Sequence, residues 1–563
     1  MGDNLNNHEE IEVFFCLPSF NLIPLRKPED KKVTIIIINP LLDGWNDFHN
    51  RISCTYTYRN YSKSIHHKGN IFVGFLEKEE TDIREYIKEV ISEKVKYISL
   101  DKMPKLFTMQ PNIEDYRQCV ATLGLAEVKR FLLGLNDLVA LRHYKNTPDW
   151  FAEAMQTNVF KFAFMRRSEP FFTFHNASYI LDGLKEESLT SISNQFSLSF
   201  KLNNFHNKHI INFDFDQSSV VPKRINVLIG KNGLGKSQAL HNIIIAASHG
   251  DDGINILKDK KNARVLINRI LAIGTPGETS NSFPEISMTK SKVFYQRLAM
   301  TRNNHSAISI NNVLLQLVRS GESIKGESRW QIFIDSISSI LSLDNIYIEL
   351  KDKEHSSFSL KEKFYISLSG LKSIRNEQTS LEIWNAISEI HDPMLRSEDQ
   401  LFSLSSGQLT FFRFVAQACL YIENGTLLLI DEPETHLHPN LISDFIEVLD
   451  QLLSMTGSIC ILATHSVYFV REVPREQVFV FQEREQSINI VHPRIKTFGA
   501  DIGAISFFVF GEETVNNLIY KVKDYLKGQP KQRHTILKEL EDQLAPEVIM
   551  ALKRELNITD EKN

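Results

Sequence analysis

Sulfur is scarce in this chain. Five cysteines among 563 residues, Cys16, Cys54, Cys119, Cys419 and Cys460, form no CxxC pair and no metal-ligand spacing, so neither a disulfide scaffold nor a zinc ribbon is expected, and the thiols read as the reduced ones of a cytoplasmic protein. Long apolar runs are missing as well: none approaches the roughly 18 residues of a membrane helix. The first residues, MGDNLNNHEEIEVFF, are acidic and polar where a secretory signal would be cationic and then apolar, and Asn6 stands where myristoylation of Gly2 wants Ser or Thr. No membrane partner is expected. Positive charge is not in excess, since Lys+Arg 64 against Asp+Glu 69 gives a net charge of −5; a wholly basic coat is excluded, a local basic stripe is not. Internal repeats, low-complexity tracts and sustained heptads are absent.

What is present is a 42% hydrophobic chain too long for one core, so two or three domains are expected. Residues 1–190 mix β-like runs (VTIIIINPLL, ISCTYTYRN, GNIFVGFL) with helical stretches and read as an N-terminal α/β accessory region. Residues 191–305 carry strand-like runs leading to one buried strand. Residues 306–395 read as a mainly helical insertion with a β-like patch at IYIELKDK and FYISL, 396–510 as a second α/β lobe, and 511–563 as helices. The fold class expected is α/β.

Chemistry enters after the apolar strand Ile225 to Ile229. Gly230, Lys231, Asn232, Gly233, Leu234, Gly235, Lys236 and Ser237 spell G-x4-G-K-S, and a helix follows from Gln238. Glycines let backbone N–H groups turn toward a phosphate at the positive end of that helix; Lys236 suits the β and γ oxygens, and the Ser237 hydroxyl a magnesium ion. Downstream, TLLLI ends in Asp431-Glu432, a pair placed to complete a magnesium shell and to act as general base. The strand ILA ends in Thr464-His465-Ser466, which suits a sensor of the γ-phosphate. A second anion cradle is the polar elbow Ser405, Ser406, Gly407 and Gln408, at the start of the helix LTFFRFVAQACLYI. Two cradles in one chain fit one site only if the second serves another subunit's nucleotide.

These motifs, in this order, resemble the ABC-type ATPase superfamily. Leu404 to Gln408 is similar to its LSGGQ signature with serine for the first glycine, Gly230 to Ser237 to Walker A, Asp431 and Glu432 to the end of Walker B, and His465 to the switch histidine. The resemblance implies an ABC-type P-loop ATPase head, ATP and Mg2+ as cofactors, and closure of a homodimer or higher homo-oligomer around ATP; Gln296 is carried over as the Q-loop glutamine near the metal. Glu432-Pro-Glu-Thr-His-Leu-His-Pro439 is similar to the soluble branch near SMC, RecF and overcoming-lysogenisation ATPases, so the histidines at 436 and 438 are expected to belong to that loop and not to a metal site. The stretch from Ser237 to Leu404 is too short for SMC arms, and no Asp-x-Asp follows His465 to make a TOPRIM nuclease. The remaining likeness, helped by IKTFGADIGAISFFVFGEE, is to the PtuA family of Septu and Septu-type retron systems. It implies anti-phage defence with a separate HNH-type nuclease subunit and, in retrons, a reverse transcriptase with its nucleic acid. An ATP-gated DNA clamp of repair or recombination is the alternative.

Two further regions invite partners. Val515, Leu518, Ile519, Val522, Tyr525 and Leu526 share a helical face, Ile536, Leu537, Leu540 and Leu544 a second, and Val548, Ile549 and Leu552 a third; they are expected to pack on the ATPase or to dock the nuclease. In FKFAFMRRSEPFFTFHN arginines interleave with aromatics, as in a buried aromatic cluster or a single-strand binding surface.

Overall fold

The runs INVLIG, RILAIG, TLLLID and ICILAT are apolar without alternation, the pattern of strands covered on both faces, and in the computed structural model all of them lie in one sheet. The structure describes residues 10–556 apart from internal segments; those of six residues or more are 18–32, 42–49, 185–192, 275–281, 300–309, 374–381 and 511–516, and the shorter ones that bear on the sites below are 203–204, 251–254, 287–290 and residue 436. The seven-stranded sheet has the order Phe294–Ala299, Arg269–Gly274, Thr426–Asp431, Ile459–Thr464, Ile225–Gly230, Val478–Arg484, Ser487–Val491. Its strands are parallel except the last. Alternate side chains divide between two cores. Leu228, Leu427, Leu429 and Ile461 pack with the helix Lys236–His249 and a three-stranded antiparallel sheet, while Val227, Leu428, Ile430 and Leu462 pack with the helices Ser406–Tyr421 and Ile442–Thr456. The chain is an α/β protein.

The N-terminal region has its own six-stranded sheet, in the order Ile98–Ser99, Glu10–Phe15, Val33–Pro40, Ser53–Asn60, Ile65–Phe75, Leu106–Met109. In the strand Ser53–Asn60 alternation is strict, Cys54, Tyr56, Tyr58 and Asn60 facing inward. The aromatic stretch beyond residue 160 divides: Phe160, Phe164, Phe172 and Phe174 enter this core, whereas Phe162 is 50% exposed. Phe172 lies against Gly425, whose φ is +70° and where a Cβ would come within 2.3 Å of the ring. The accessory region thus touches the turn that leads into the strand Thr426–Asp431.

Between residues 306 and 403 the structure has the two strands expected at IYIELKDK and FYISL, Ile346–Leu350 and Lys363–Ser367, but corrects the mainly helical expectation around them. Helices Ile310–Arg319 and Arg329–Ser338 are present, but Phe358–Leu360, Lys363–Ser367, Ile346–Leu350, Met394–Ser397 and Gln400–Ser403 form a five-stranded antiparallel sheet. Its first hairpin turns through Lys361 and Glu362, both left-handed at φ 48° and 64°, so it lacks the Asn-Gly or Gly signal by which such turns are recognised.

At the C-terminal end Leu526, Leu537, Leu552 and Leu556 make a small cluster of their own, flanked by Val522, Ile536, Leu544 and Val548. The stripes therefore pack on one another, leaving Tyr525 61% exposed. Val515 and the side chains of Leu518 and Ile519 lie outside the described residues. Among the described residues no helix is long and apolar enough to cross a membrane.

Candidate functional site: a phosphate loop against an acidic strand

Strand register brings the motifs to one edge. Asp431 lies beside Ala463, and Thr464 beside Ile229, so the loops that follow three adjacent parallel strands meet at the carboxyl end of the sheet, where open α/β sheets bind ligands. The loop after Ile225–Gly230 turns into the helix Lys236–His249 at Gly235. Its φ is +95°, and a Cβ there would lie 2.4 Å from Leu202 Cδ1; only glycine fits both the backbone and the space.

Lys236 opens that helix. Its ammonium donates to the carbonyls of Gly230 at 2.9 Å and Lys231 at 3.0 Å, and lies 3.4 Å from His465 Nδ1. Burial pulls its pKa down to about 8 against the opposing pull of Glu432 and Asp431, a group that anionic oxygen would restore to full charge. The Ser237 hydroxyl donates to Asp431 Oδ1 at 3.1 Å, and the Ser282 hydroxyl to Oδ2 at 2.5 Å. Burial raises the Asp431 carboxyl, the two hydroxyls pulling the other way.

Glu432 is left-handed at φ 47°, a conformation that glutamate rarely adopts and that turns its side chain out of the strand direction. Its Oε1 stands 2.9 Å from His465 Nε2. Burial, then the Lys236 charge, lowers the His465 pKa. With Lys236 donating to Nδ1, Nε2 is the ring nitrogen that carries the proton toward Glu432, an assignment that follows from its two neighbours. Glu434 Oε1 accepts from the His465 backbone N–H at 2.6 Å and fixes the loop.

A cleft of about 550 Å³ opens over the loop from Asn232 to Gln238, walled by Leu202, Phe205, Glu432 and His465. The structure thus brings together Lys236, Ser237, Asp431, Glu432 and His465. It does not bring Gln296 there. Gln296 pairs with Leu271, which pairs with Leu428, whereas the Asp431 level is reached at Ala299; Gln296 is two strands over and three residues, about 10 Å, short. The Q-loop assignment of Gln296 is corrected on that ground. Ser282 and Phe205, which sequence reasoning missed, stand at Asp431 and at the cleft wall instead.

The elbow at residue 405 is a helix start with a full capping box. Ser405 Oγ accepts from the Gln408 N–H at 3.2 Å, and Gln408 Oε1 from the Ser405 N–H at 3.0 Å. Ser405 and Ser406 are exposed and Gly407 is buried, and none of Ser405 to Gln408 lines the cleft. His438 Nδ1 accepts from the Asn440 N–H at 3.4 Å, and residue 436 lies outside the described residues. Among the described residues no three His, Cys, Asp or Glu are grouped to hold a metal by themselves.

The donor set fits a nucleoside triphosphate with magnesium: a glycine loop at a helix N-terminus, a buried ammonium, and a hydroxyl–carboxylate pair of hard oxygens. The arrangement is that of a P-loop nucleotide site. Residues 341–471 match the family described as "AAA domain, putative AbiEii toxin, Type IV TA system", and families of this kind bind ATP, usually with Mg2+. Along nearly its whole length the chain is similar to Protein ea59 of Escherichia phage lambda, 22% identical over 542 residues that cover 92% of this chain and 94% of that protein. Among solved structures it is similar to an SmcHead bound to the C-winged helix domain of ScpA (9% identity, 54% of this chain and 98% of that one, TM-score 0.29). Another is a nucleotide-free ATP-binding cassette from an ABC transporter (12%, 55% and 94%, TM-score 0.24).

Proposed function

We propose that the chain is an ATP-hydrolysing switch that closes as a dimer over two nucleotides and controls a separate nuclease in defence against phage. The observation that carries the dimer is the position of the capped elbow: an exposed helix start with signature-like residues, outside the cleft of its own chain. In the closed pair Ser405 and Gly407 face the partner's γ-phosphate. Lys236 binds the β and γ oxygens, Ser237 and Asp431 hold the magnesium ion, Phe205 offers a ring to the base, Glu432 takes the proton of the attacking water, and His465 reports the γ-phosphate through its link to Glu432.

Mixing two inactive proteins tests the composite site. A Lys236→Ala chain cannot hold ATP, and a Ser405→Arg chain blocks its partner's site; a heterodimer of the two keeps one intact cleft facing one intact elbow. The mixture is expected to regain up to about a quarter of wild-type turnover, the statistical share of such sites. Heterodimers demonstrated by mass photometry or tagged pull-down, with no recovered activity, would place the elbow's action in its own chain.

Support for the defence role is the likeness of residues 495–513 to PtuA-type ATPases, which work with an HNH-type nuclease and, in retrons, a reverse transcriptase; EPETHLHP supports only the wider soluble branch near SMC, RecF and overcoming-lysogenisation ATPases. A second reading, that such an ATPase serves the phage itself, is favoured by the phage source of ea59. Co-expression separates them. In the defence reading, an HNH nuclease encoded next to this gene co-purifies with the chain and together they cut plaque numbers at least about tenfold, an effect lost with Lys236→Ala. Unchanged plaque counts, with both proteins present and bound, would leave the phage-side reading.

A further inference from the structure

A second cleft, of about 520 Å³, lies away from the phosphate loop, between the accessory region and the ATPase lobe. Five cationic side chains line it: Lys161 and Arg166 from the accessory side, Lys258, Arg264 and Lys292 from the ATPase side. Among the described lining residues there is no carboxylate; Asp251 and Asp252, next in sequence to Gly250 of the lining, lie outside the described residues. The nearby Asp259 is turned into its own loop, its Oδ1 accepting from the N–H groups of Lys261 and Ala263 at 2.8 and 2.7 Å. The floor is apolar, made by Ala246, Leu257, Val265, Ile267 and Val293. Phe162 stands in the wall, half exposed, although Phe160 and Phe164 on either side of it in sequence are buried.

The walls are tied to each other. Arg264 donates to the Met165 carbonyl at 2.9 Å and lies 4.8 Å over the Phe171 ring, which joins the two regions across the opening. Lys292 is fixed from behind, its backbone N–H donating to Ser248 O at 2.8 Å. A chain with a net charge of −5 that gathers five cations around one apolar, aromatic-walled cleft has concentrated positive potential there, and desolvated walls strengthen it.

We propose that this cleft binds a nucleotide unit, a base against Phe162 and the apolar floor with its phosphates among Lys161, Arg166 and Lys292, taken either from single-stranded nucleic acid or from a free nucleotide. Cations alone would suit any anion. The exposed ring and the apolar floor add a requirement for a flat aromatic group, and that combination is how single strands are held. The helix Lys236–His249 links the two clefts physically: Lys236 and Ser237 at its start line the ATP cleft, while Ala246, near its end, lines this one. Ala246 stands ten residues beyond Lys236, about 15 Å along the axis.

The test uses full-length protein carrying Lys236→Ala, so that the phosphate loop takes no nucleotide, and fluorescence anisotropy with two probes, a labelled ten-residue deoxythymidine oligonucleotide and labelled adenosine monophosphate. Binding of either is expected to weaken more than tenfold in Lys161→Glu/Lys292→Glu and about five- to a hundredfold in Phe162→Ala. The salt slope for the oligonucleotide should flatten by about 1.4 in the double variant, the share of two phosphate contacts. Binding of the oligonucleotide alone assigns a strand, and comparable binding of the monophosphate assigns a free nucleotide. With Lys236 intact, both variants should keep ATPase activity within twofold, since no residue changed touches the ATP cleft; ATPase lost with the cleft variants folded would mark a fault in the engine, separate from this proposal. Affinity unchanged in both variants would overturn the site. So would a Phe162→Ala protein that binds normally while polyglutamate competes as well as the oligonucleotide, which would reduce the cleft to charge alone. Should charge reversal prevent folding, Lys161→Gln/Lys292→Gln with circular dichroism carries the same comparison.

Discussion

Glu432→Gln is expected to bind ATP as wild type does, with Kd within about threefold, and to lose at least about a hundredfold in turnover. The substitution keeps the length and shape of the side chain and its amide oxygen can still accept from His465 Nε2, so the 2.9 Å contact that holds the ring survives. What disappears is a carboxylate able to take a proton, and a positioned base contributes typically 10²–10⁴-fold. Because Lys236, Ser237 and Asp431 are untouched, binding and catalysis separate cleanly in this variant, and in the dimeric reading the ATP-bound pair accumulates. Equilibrium binding of a fluorescent ATP analogue, phosphate release and sizing with ATP present check it. Turnover within tenfold of wild type would remove Glu432 from the role of base. His465→Ala combined with it should add little, since both act through one hydrogen-bonded unit.

How much of this could be read from the sequence depends on whether a requirement is local. A phosphate cradle needs glycines, a lysine and a hydroxyl at fixed separations in a single turn, so residues 230 to 237 declare themselves. The strands beside it are buried on both faces and write themselves as apolar runs, each ending in the residue it delivers. Ser282 has no such mark: it sits among other small polar residues of GTPGETSNSF, and only the folded loop puts its hydroxyl against Asp431. Phe205 likewise becomes a cleft wall through the way its hairpin lies over the loop. Gln296 shows the converse, a suitable residue type set aside by register, because a strand shift of three residues exceeds any side chain's reach. Of the five-stranded sheet only the patch at IYIELKDK and FYISL showed in the sequence; its hairpin partner Phe358–Leu360 did not, since the turn uses Lys361 and Glu362 in a conformation usually given to glycine or asparagine.

The hardest feature to read is also the one on which a second large effect rests, the carboxylate of Glu423. It lies between the helix Ser406–Tyr421 and the strand Thr426–Asp431 and is 3% exposed. Arg117, from the accessory helix Ile113–Leu123, donates to it at 2.7 and 3.1 Å, and Arg329, from the helix Arg329–Ser338, at 3.3 Å. The arginines are 306 and 94 residues away in sequence, so no local pattern announces the cluster, yet it joins three regions that composition sets apart. Burial pushes the Glu423 carboxyl up, but the two guanidiniums more than reverse this and hold it down at about 2. Each arginine has a second carboxylate, Glu114 at 2.9 Å from Arg117 and Glu322 at 2.6 Å from Arg329; such a buried network is not a large net source of stability when compared with a well-packed apolar core, and removing its central carboxylate is costly because two buried guanidiniums then share fewer negative charges. Glu423→Gln is therefore expected to destabilise by about 3–5 kcal/mol, while Arg117→Met/Glu423→Leu/Arg329→Met combined with Glu114→Gln, which removes the carboxylate that Arg117 also holds, should recover most of that loss. Since the folded pKa is below the ordinary value of 4.5, the carboxylate's own contribution is complete above about pH 4.5 and fades as pH falls toward 2, so the gap between wild type and Glu423→Gln should narrow below about pH 4.5; near neutrality the gap also carries the titration of Glu114, which burial raises to about 7 and which Glu423 helps to raise. Thermal melts and limited proteolysis across this range decide it. The chain has several cores, so the loss should appear first as early release of the accessory region and not as one shifted transition. A Glu423→Gln protein melting within a degree of wild type at pH 7 would show that Glu114 and Glu322 suffice for the two arginines and that the three regions are held together by their apolar contacts.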